Sequence, residues 1–190
     1  MSTMPIRILA LTICATGLLF GQAAEFSFSA GANRLSGSDL GGGYRLDGGF
    51  RFGFRVTVNN WRFFGHEFGY AYNRMQLKFG SADAGGMAGH QGLYHFLAYA
   101  TPEGSRIRPF VAGGGHFTNF VPPGASAAYG QGQNKFGVNY GAGIKTKVSD
   151  KFLIRFDVKQ YLQGKPFTNA TGGSGSLRIN EISAGFALYL

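Results

Sequence analysis

The chain has a single cysteine in 190 residues, Cys14, and it falls in an apolar stretch near the N-terminus. A disulfide framework is therefore excluded, and so are cysteine-based metal sites. Charge is scarce too, at 14% Asp, Glu, Lys and Arg, against roughly 25% in ordinary soluble domains. Acids are scarcest, nine against eighteen basic residues, which leaves a net charge of +9. No stretch reaches the ~18 consecutive apolar residues of a transmembrane helix, and a mean hydropathy of −0.03 is too polar for a helical membrane protein. It is not too polar for a membrane β-barrel, in which half of every strand is polar. What the chain does have is glycine, 32 residues, and aromatics, 15% of the total. The length suits one domain.

The first residues read MSTMPIRILALTICATGLLFGQAAEF. Arg7 is a positive start, Ile8 to Phe20 an apolar run, and Gly21-Gln22-Ala23 a small-x-small cleavage site. An apolar run of about 13 residues is too short to span a bilayer. A lipoprotein site at Cys14 is disfavoured because Ile13 occupies the place of a small residue and the run continues past it. The pattern predicts a signal peptide at residues 1–23, the mature domain at 24–190, and a mature protein without thiols.

From there the sequence alternates to its end. KFLIRFDVKQY at 151–161 puts Phe152, Ile154, Phe156 and Val158 on one parity and Arg155, Asp157 and Lys159 on the other, the period of a two-faced strand. Similar segments are AEFSFSAGANR, GGFRFGFRVTV, FFGHEFGYAY, LYHFLAYA, RPFVAGGGHF, FGVNYGAGIK and NEISAGFALYL. In LYHFLAYA both parities are apolar, so its inward face is open. Short connections are expected at Asn59-Asn60, Pro102 to Arg106 and Ser149-Asp150, and long ones at Leu35 to Asp47, Asn73 to Gly89, Asn119 to Asn134 and Leu162 to Ser176. Short turns alternating with long loops, between eight strands, are the pattern of an outer-membrane barrel.

A secreted soluble barrel of lipocalin type would alternate as well. Three features argue against it. Glycines fall on the polar parity, at Gly53, Gly65, Gly69, Gly137, Gly141, Gly143 and Gly185, where a solvated face would carry Thr, Lys or Glu. Inside a narrow barrel, small residues make room for a few large charged ones. Trp61, Phe63, Phe64, Tyr70, Tyr72, Phe117, Phe120, Tyr161 and Tyr189 cluster near strand ends, where interfacial girdles sit. The last strand runs to Leu190 and can close on the first. The fold class expected is all-β: an eight-stranded antiparallel up-and-down transmembrane β-barrel following a signal peptide, located in the outer membrane.

GHEFGYAYNRM at 65–75 and AGIKTKVSDKFLIRFDV at 142–158 resemble the third and the sixth-to-seventh strands of the outer-membrane protein A (OmpA) transmembrane domain. The resemblance follows strand order over nearly the whole mature chain, with sparse identities. It implies an interior network of acidic and basic side chains. Glu67 matches the family's interior glutamate on the third strand, Arg155 its interior arginine on the seventh, and Asp157 an acidic position two residues on. Two positions depart: the family's interior lysine on the fourth strand falls at Ala98, and the glutamate on the sixth at Lys145. The family's periplasmic peptidoglycan-binding domain has no counterpart here, so a cell-wall tether is not expected.

On the inward parity the sequence offers Arg51, Arg55, Lys145, Arg155 and Lys159 against Glu67, Asp157 and Glu181. These are the expected interior charge network. No catalytic site is expected, because none of His66, His90, His95 and His116 has a serine or carboxylate partner placed for chemistry. His66 shares parity with lipid-facing Phe64 and Phe68, and His95 with Leu93 and Leu97, so both read as interfacial. His90 and His95 fall on opposite faces, which excludes a shared metal. The Gly-Gly-Gly runs at 41–43 and 113–115 lack the helix of a nucleotide site, and no cofactor is expected. A basic excess without a basic run, in a secreted chain, argues against nucleic acid. Outer-membrane lipids, lipopolysaccharide phosphates above all, suit Arg34, Arg45, Arg74, Lys78, Lys165 and Arg178 near the long loops. The expected role is structural or interaction-based, as a monomer without enzymatic activity. A narrow solute pore and a soluble ligand-binding barrel are the alternatives.

Overall fold

A computed structural model of the protein describes residues 23–190. The expected signal peptide, with Cys14 in it, lies outside the described residues apart from Ala23. Nine strands form one sheet: β1 (Ala23–Ser36), β2 (Asp39–Gly41), β3 (Tyr44–Trp61), β4 (Phe64–Phe79), β5 (Ala82–Tyr99), β6 (Ile107–Val121), β7 (Gln133–Ser149), β8 (Phe152–Gly164) and β9 (Ser176–Tyr189). Every pairing is antiparallel; from β2 to β9 consecutive strands in sequence pair with each other, and β1 pairs both β9 and β3. The sheet therefore closes into a barrel of eight long strands, β1 and β3 to β9. The short β2 is an accessory strand folded back on β3. Closure leaves no open edge in the long strands, which a bilayer demands because it offers no hydrogen-bond partners.

Polarity is inverted relative to a soluble protein. Phe50, Phe52, Phe54, Phe68, Phe156, Val158 and Ile182 point outward and are exposed, whereas Arg55, Arg155, Lys145 and Lys159 are fully buried. Leaving one large apolar side chain in water forgoes roughly 1.5–3 kcal/mol. A belt of such residues on every strand is stable only against lipid. Facing rings also pack across strands, as Phe28 with Phe186 at 5.5 Å and Phe52 with Tyr72 at 5.2 Å.

The connections differ in part from expectation. The stretch 73–89 is no loop: β4 and β5 continue as a paired ribbon, Met75 opposite Met87, turning at Gly80 and Ser81. Its glycines and alanines look like loop residues, but Met75, Leu77 and Met87 keep the inner parity and bury together. The stretch 35–47 likewise holds the end of β1, all of β2 and the start of β3. The connections 122–132 and 165–175 are irregular, broken by a 3-10 turn at Ala127–Tyr129 and a short helix α1 (Thr168–Thr171). On the opposite end, Asn59 and Asn60 lie inside β3, and the turn falls at Arg62 and Phe63. Asn59 is held in the strand because its amide donates to Glu25 Oε1 at 2.9 Å.

Strands of 13 to 18 residues exceed the ~9–11 needed to cross a bilayer at a tilt. The surplus projects on the long-connection end. There Leu40, Leu46, Met75, Leu77, Met87, Phe120, Leu177 and Ile179 fill the inside of the barrel as a hydrophobic cluster, with Leu40 of β2 folded in. The charges lie below it, and glycine makes their space. A Cβ on Gly141 would meet the Lys159 side chain at 2.7 Å, and one on Gly143 would meet the Phe110 ring at 2.5 Å.

Candidate functional site

All eight predicted interior charges lie on the inner face, each at most 2% exposed. Strands β3, β4, β8 and β9 supply the centre. Arg155 of β8 binds Asp157 of its own strand through Nε and Nη2, both at 2.8 Å. It also reaches across the lumen to Glu67 of β4, with Nη1 on Oε2 and Nη2 on Oε1 at 3.2 Å. Arg55 of β3 joins Asp157 at 3.3 Å, Glu181 of β9 at 3.2 Å and Glu67 at 3.8 Å. Lys159 lies 3.2 Å from Asp157 and 3.5 Å from Glu67, as ion pairs without aligned hydrogen bonds. Thr57 donates to Glu67 at 3.0 Å, and the His95 ring lies 3.0 Å from the same carboxylate. Each carboxylate thus faces more than one cation, the condition under which buried charge is tolerated.

Towards the long-connection end, Glu181 accepts from Tyr161 and from Ser183, both at 2.6 Å. Arg51 Nε lies 3.2 Å from Glu181, and its Nη1 donates to Gln91 at 2.5 Å. Towards the short-turn end, Lys145 donates to Glu25 at 2.5 Å and to the Tyr99 hydroxyl at 2.9 Å. The Arg108 guanidinium stacks on the Tyr99 ring at 3.7 Å.

Glu25 and Arg108, both fully buried, are interior charges that the sequence reading missed. Glu25 shares the parity of Ser27, Ser29 and Asn33 but sits two residues past the expected cleavage site. Arg108 stands in a strand whose inner face also carries Phe110 and Ala112, so polarity does not mark its side. One is acidic and one basic, so the interior keeps its positive excess, six cations against four acids.

Several single positions are corrected. His95 is not interfacial: it points inward with Leu93 and Leu97, because the outer face of β5 is formed by Tyr94, Phe96 and Ala98. Ala98 accordingly lies outside and cannot stand for an interior lysine; Tyr99 is the inner residue beside it. Phe120 and Tyr161 are not girdle residues but are fully buried in the lumen, and Tyr189 has the inner parity. Trp61, Phe63, Phe64 and Phe117 are exposed on the outer side. His66 and His90 face outward, bonded to the hydroxyls of Tyr94 at 2.7 Å and Tyr70 at 2.6 Å. His116 is buried and bonds Gln163 at 3.1 Å. On the outer rim, Arg45 and Lys78 share Asp47, at 3.1 and 2.7 Å. The Lys78 hydrogen bond holds the Asp47 carboxyl below the usual aspartate range. Among the described residues no cluster of three or more His, Cys, Asp or Glu is placed to hold a metal.

No family model matches the chain, and no curated protein matches it. Solved structures do. The outer membrane protein OprG from Pseudomonas aeruginosa superposes with a TM-score of 0.57 at 15% identity, over 89% of this chain and 97% of that one. Neisserial surface protein A gives 0.57 at 15% identity, over 88% and 97%. The Escherichia coli outer membrane protein W gives 0.52 at 18% identity, over 90% and 100%. At these identities the likeness is one of fold, and the reversed polarity of the two faces marks a barrel that meets lipid. The chain is an eight-stranded antiparallel β-barrel with the fold of these bacterial outer-membrane proteins, lipid-facing outside and charge-filled within.

Proposed function

We propose that the protein is a closed, monomeric barrel with a structural or surface-interaction role, without a conducting lumen and without catalysis. One observation carries this reading. The Glu67 carboxylate has contacts to Arg155, Arg55, Lys159, His95 and Thr57 from three other strands and is fully buried. Eight strands enclose a lumen just wide enough for its side chains to fill. A network tied across the middle, capped on one side by the apolar cluster around Leu40, leaves water and ions no continuous path. Outward, the ribbon of β4 and β5 and the connections at 122–132 and 165–175 are the surfaces free for contact.

Planar-bilayer recording tests the reading. Purified barrel should insert without steady conductance. A stable open level in the unaltered protein would replace the plug with a narrow pore, which the positive interior would make anion-preferring.

A further inference from the structure

On the outer face of the barrel, β1 and β9 lie side by side with Ala30 opposite Ala184, Ala32 opposite Ile182 and Arg34 opposite Asn180. The paired alanines Ala30 and Ala184 floor a groove of about 440 Å³ walled by Phe28, Phe186 and Phe52. Small side chains between large rings make a slot, and its lining is apolar. Four residues along the same face of β1, about 13 Å by strand rise, comes Arg34. Arg178 stands diagonally across on β9, since its register partner is Ser36. Diagonal neighbours of this kind are about 7–8 Å apart, within reach of one tetrahedral anion. Both arginines are exposed, and neither forms an ion pair with any described residue. Arg45 and Lys78, by contrast, are neutralised by the Asp47 between them.

We propose that this face binds the lipid A portion of lipopolysaccharide. One phosphate is held by Arg34 and Arg178, and one acyl chain runs over Ala32 into the slot at Ala30 and Ala184. Guanidinium groups match phosphate oxygens in geometry and charge. A chain lying against alanine between phenyl rings is excluded from neither lipid nor protein, but it gains the ring contacts on both sides. The two arginines lie at the long-connection end, where the outer leaflet and its phosphoglycolipid are. The inference rests on the closed-barrel reading above, with the barrel placed in the outer membrane in that orientation.

Native mass spectrometry of the purified barrel with diphosphoryl lipid A is the test, with dephosphorylated lipid A and phosphatidylglycerol as separate arms. The intact protein should retain diphosphoryl lipid A at least about tenfold better than either. The pair Arg34→Gln with Arg178→Gln should lose that preference. Ala184→Phe, which fills the slot and spares both charges, should weaken all acylated ligands alike. Heat-modifiable gel mobility of each variant reports whether the barrel has formed, so failure to fold is not mistaken for failure to bind. Equal retention of phosphatidylglycerol would overturn the lipid A assignment. Undiminished retention by the double variant, or an equal loss in Arg45→Gln with Lys78→Gln, would overturn the site.

Discussion

Glu67 of β4 and Arg155 of β8, 88 residues apart, are joined across the lumen by two guanidinium hydrogen bonds. They are not equivalent partners. Arg155 keeps a two-point contact with Asp157 when Glu67 is removed, and Glu67 keeps Arg55 and Lys159 when Arg155 is removed. Asp157 also retains Arg55 and Lys159. Which loss is worse depends on what remains unpaired.

Removing Arg155 takes away the cation that binds two carboxylates at once and leaves five cations against four acids. Arg155→Met should destabilise by about 3–5 kcal/mol, the cost of breaking a buried ion pair. Glu67→Gln keeps hydrogen-bonding capacity at the same site and should cost less. Denaturant unfolding in detergent micelles measures both. If Arg155→Met leaves the midpoint where it was, water rather than the ion pairs solvates the centre of the lumen.

Orientation can be read by labelling. Single cysteines at Ser81, Ala127 and Ser174 occupy the long-connection end and are exposed, while Asp150 sits in the opposite turn with its side chain 98% exposed. A membrane-impermeant thiol reagent on intact cells should mark the first three and spare the last. Reagent found on Asp150→Cys in intact cells would reverse the barrel in the membrane. It would also remove Arg34 and Arg178 from the outer leaflet.

Space inside the barrel is the third expectation. A Cβ on Gly143 would come within 2.5 Å of both the Phe110 ring and the Phe156 carbonyl oxygen. The carbonyl belongs to the neighbouring strand and cannot move aside without breaking the ladder. Gly143→Val should therefore prevent assembly of a heat-modifiable barrel. A similar change at Gly113, where the added carbon meets nothing within 4 Å, should be accepted. Normal assembly of Gly143→Val would show that the wall is looser than these distances require.

The strands and their faces were legible in the sequence because a strand's period is two and the bilayer enforces the alternation. Phe152 to Val158 against Arg155 to Lys159 declares both faces without reference to any other strand. Where that contrast fails, so does the reading. In β5, Leu93 and Leu97 are as apolar as Tyr94 and Phe96, so the pattern does not reveal that His95 faces inward. The 73–89 ribbon reads as a loop because glycine and alanine carry no polarity to alternate. The pairing inside was decided by closure alone. Arg155 meets Glu67, and Lys145 meets Glu25, across 88 and 120 residues of chain. Those meetings follow from the order of strands around the barrel and the stagger between them. No local pattern contains that stagger; it exists only once β1 has paired with both β3 and β9.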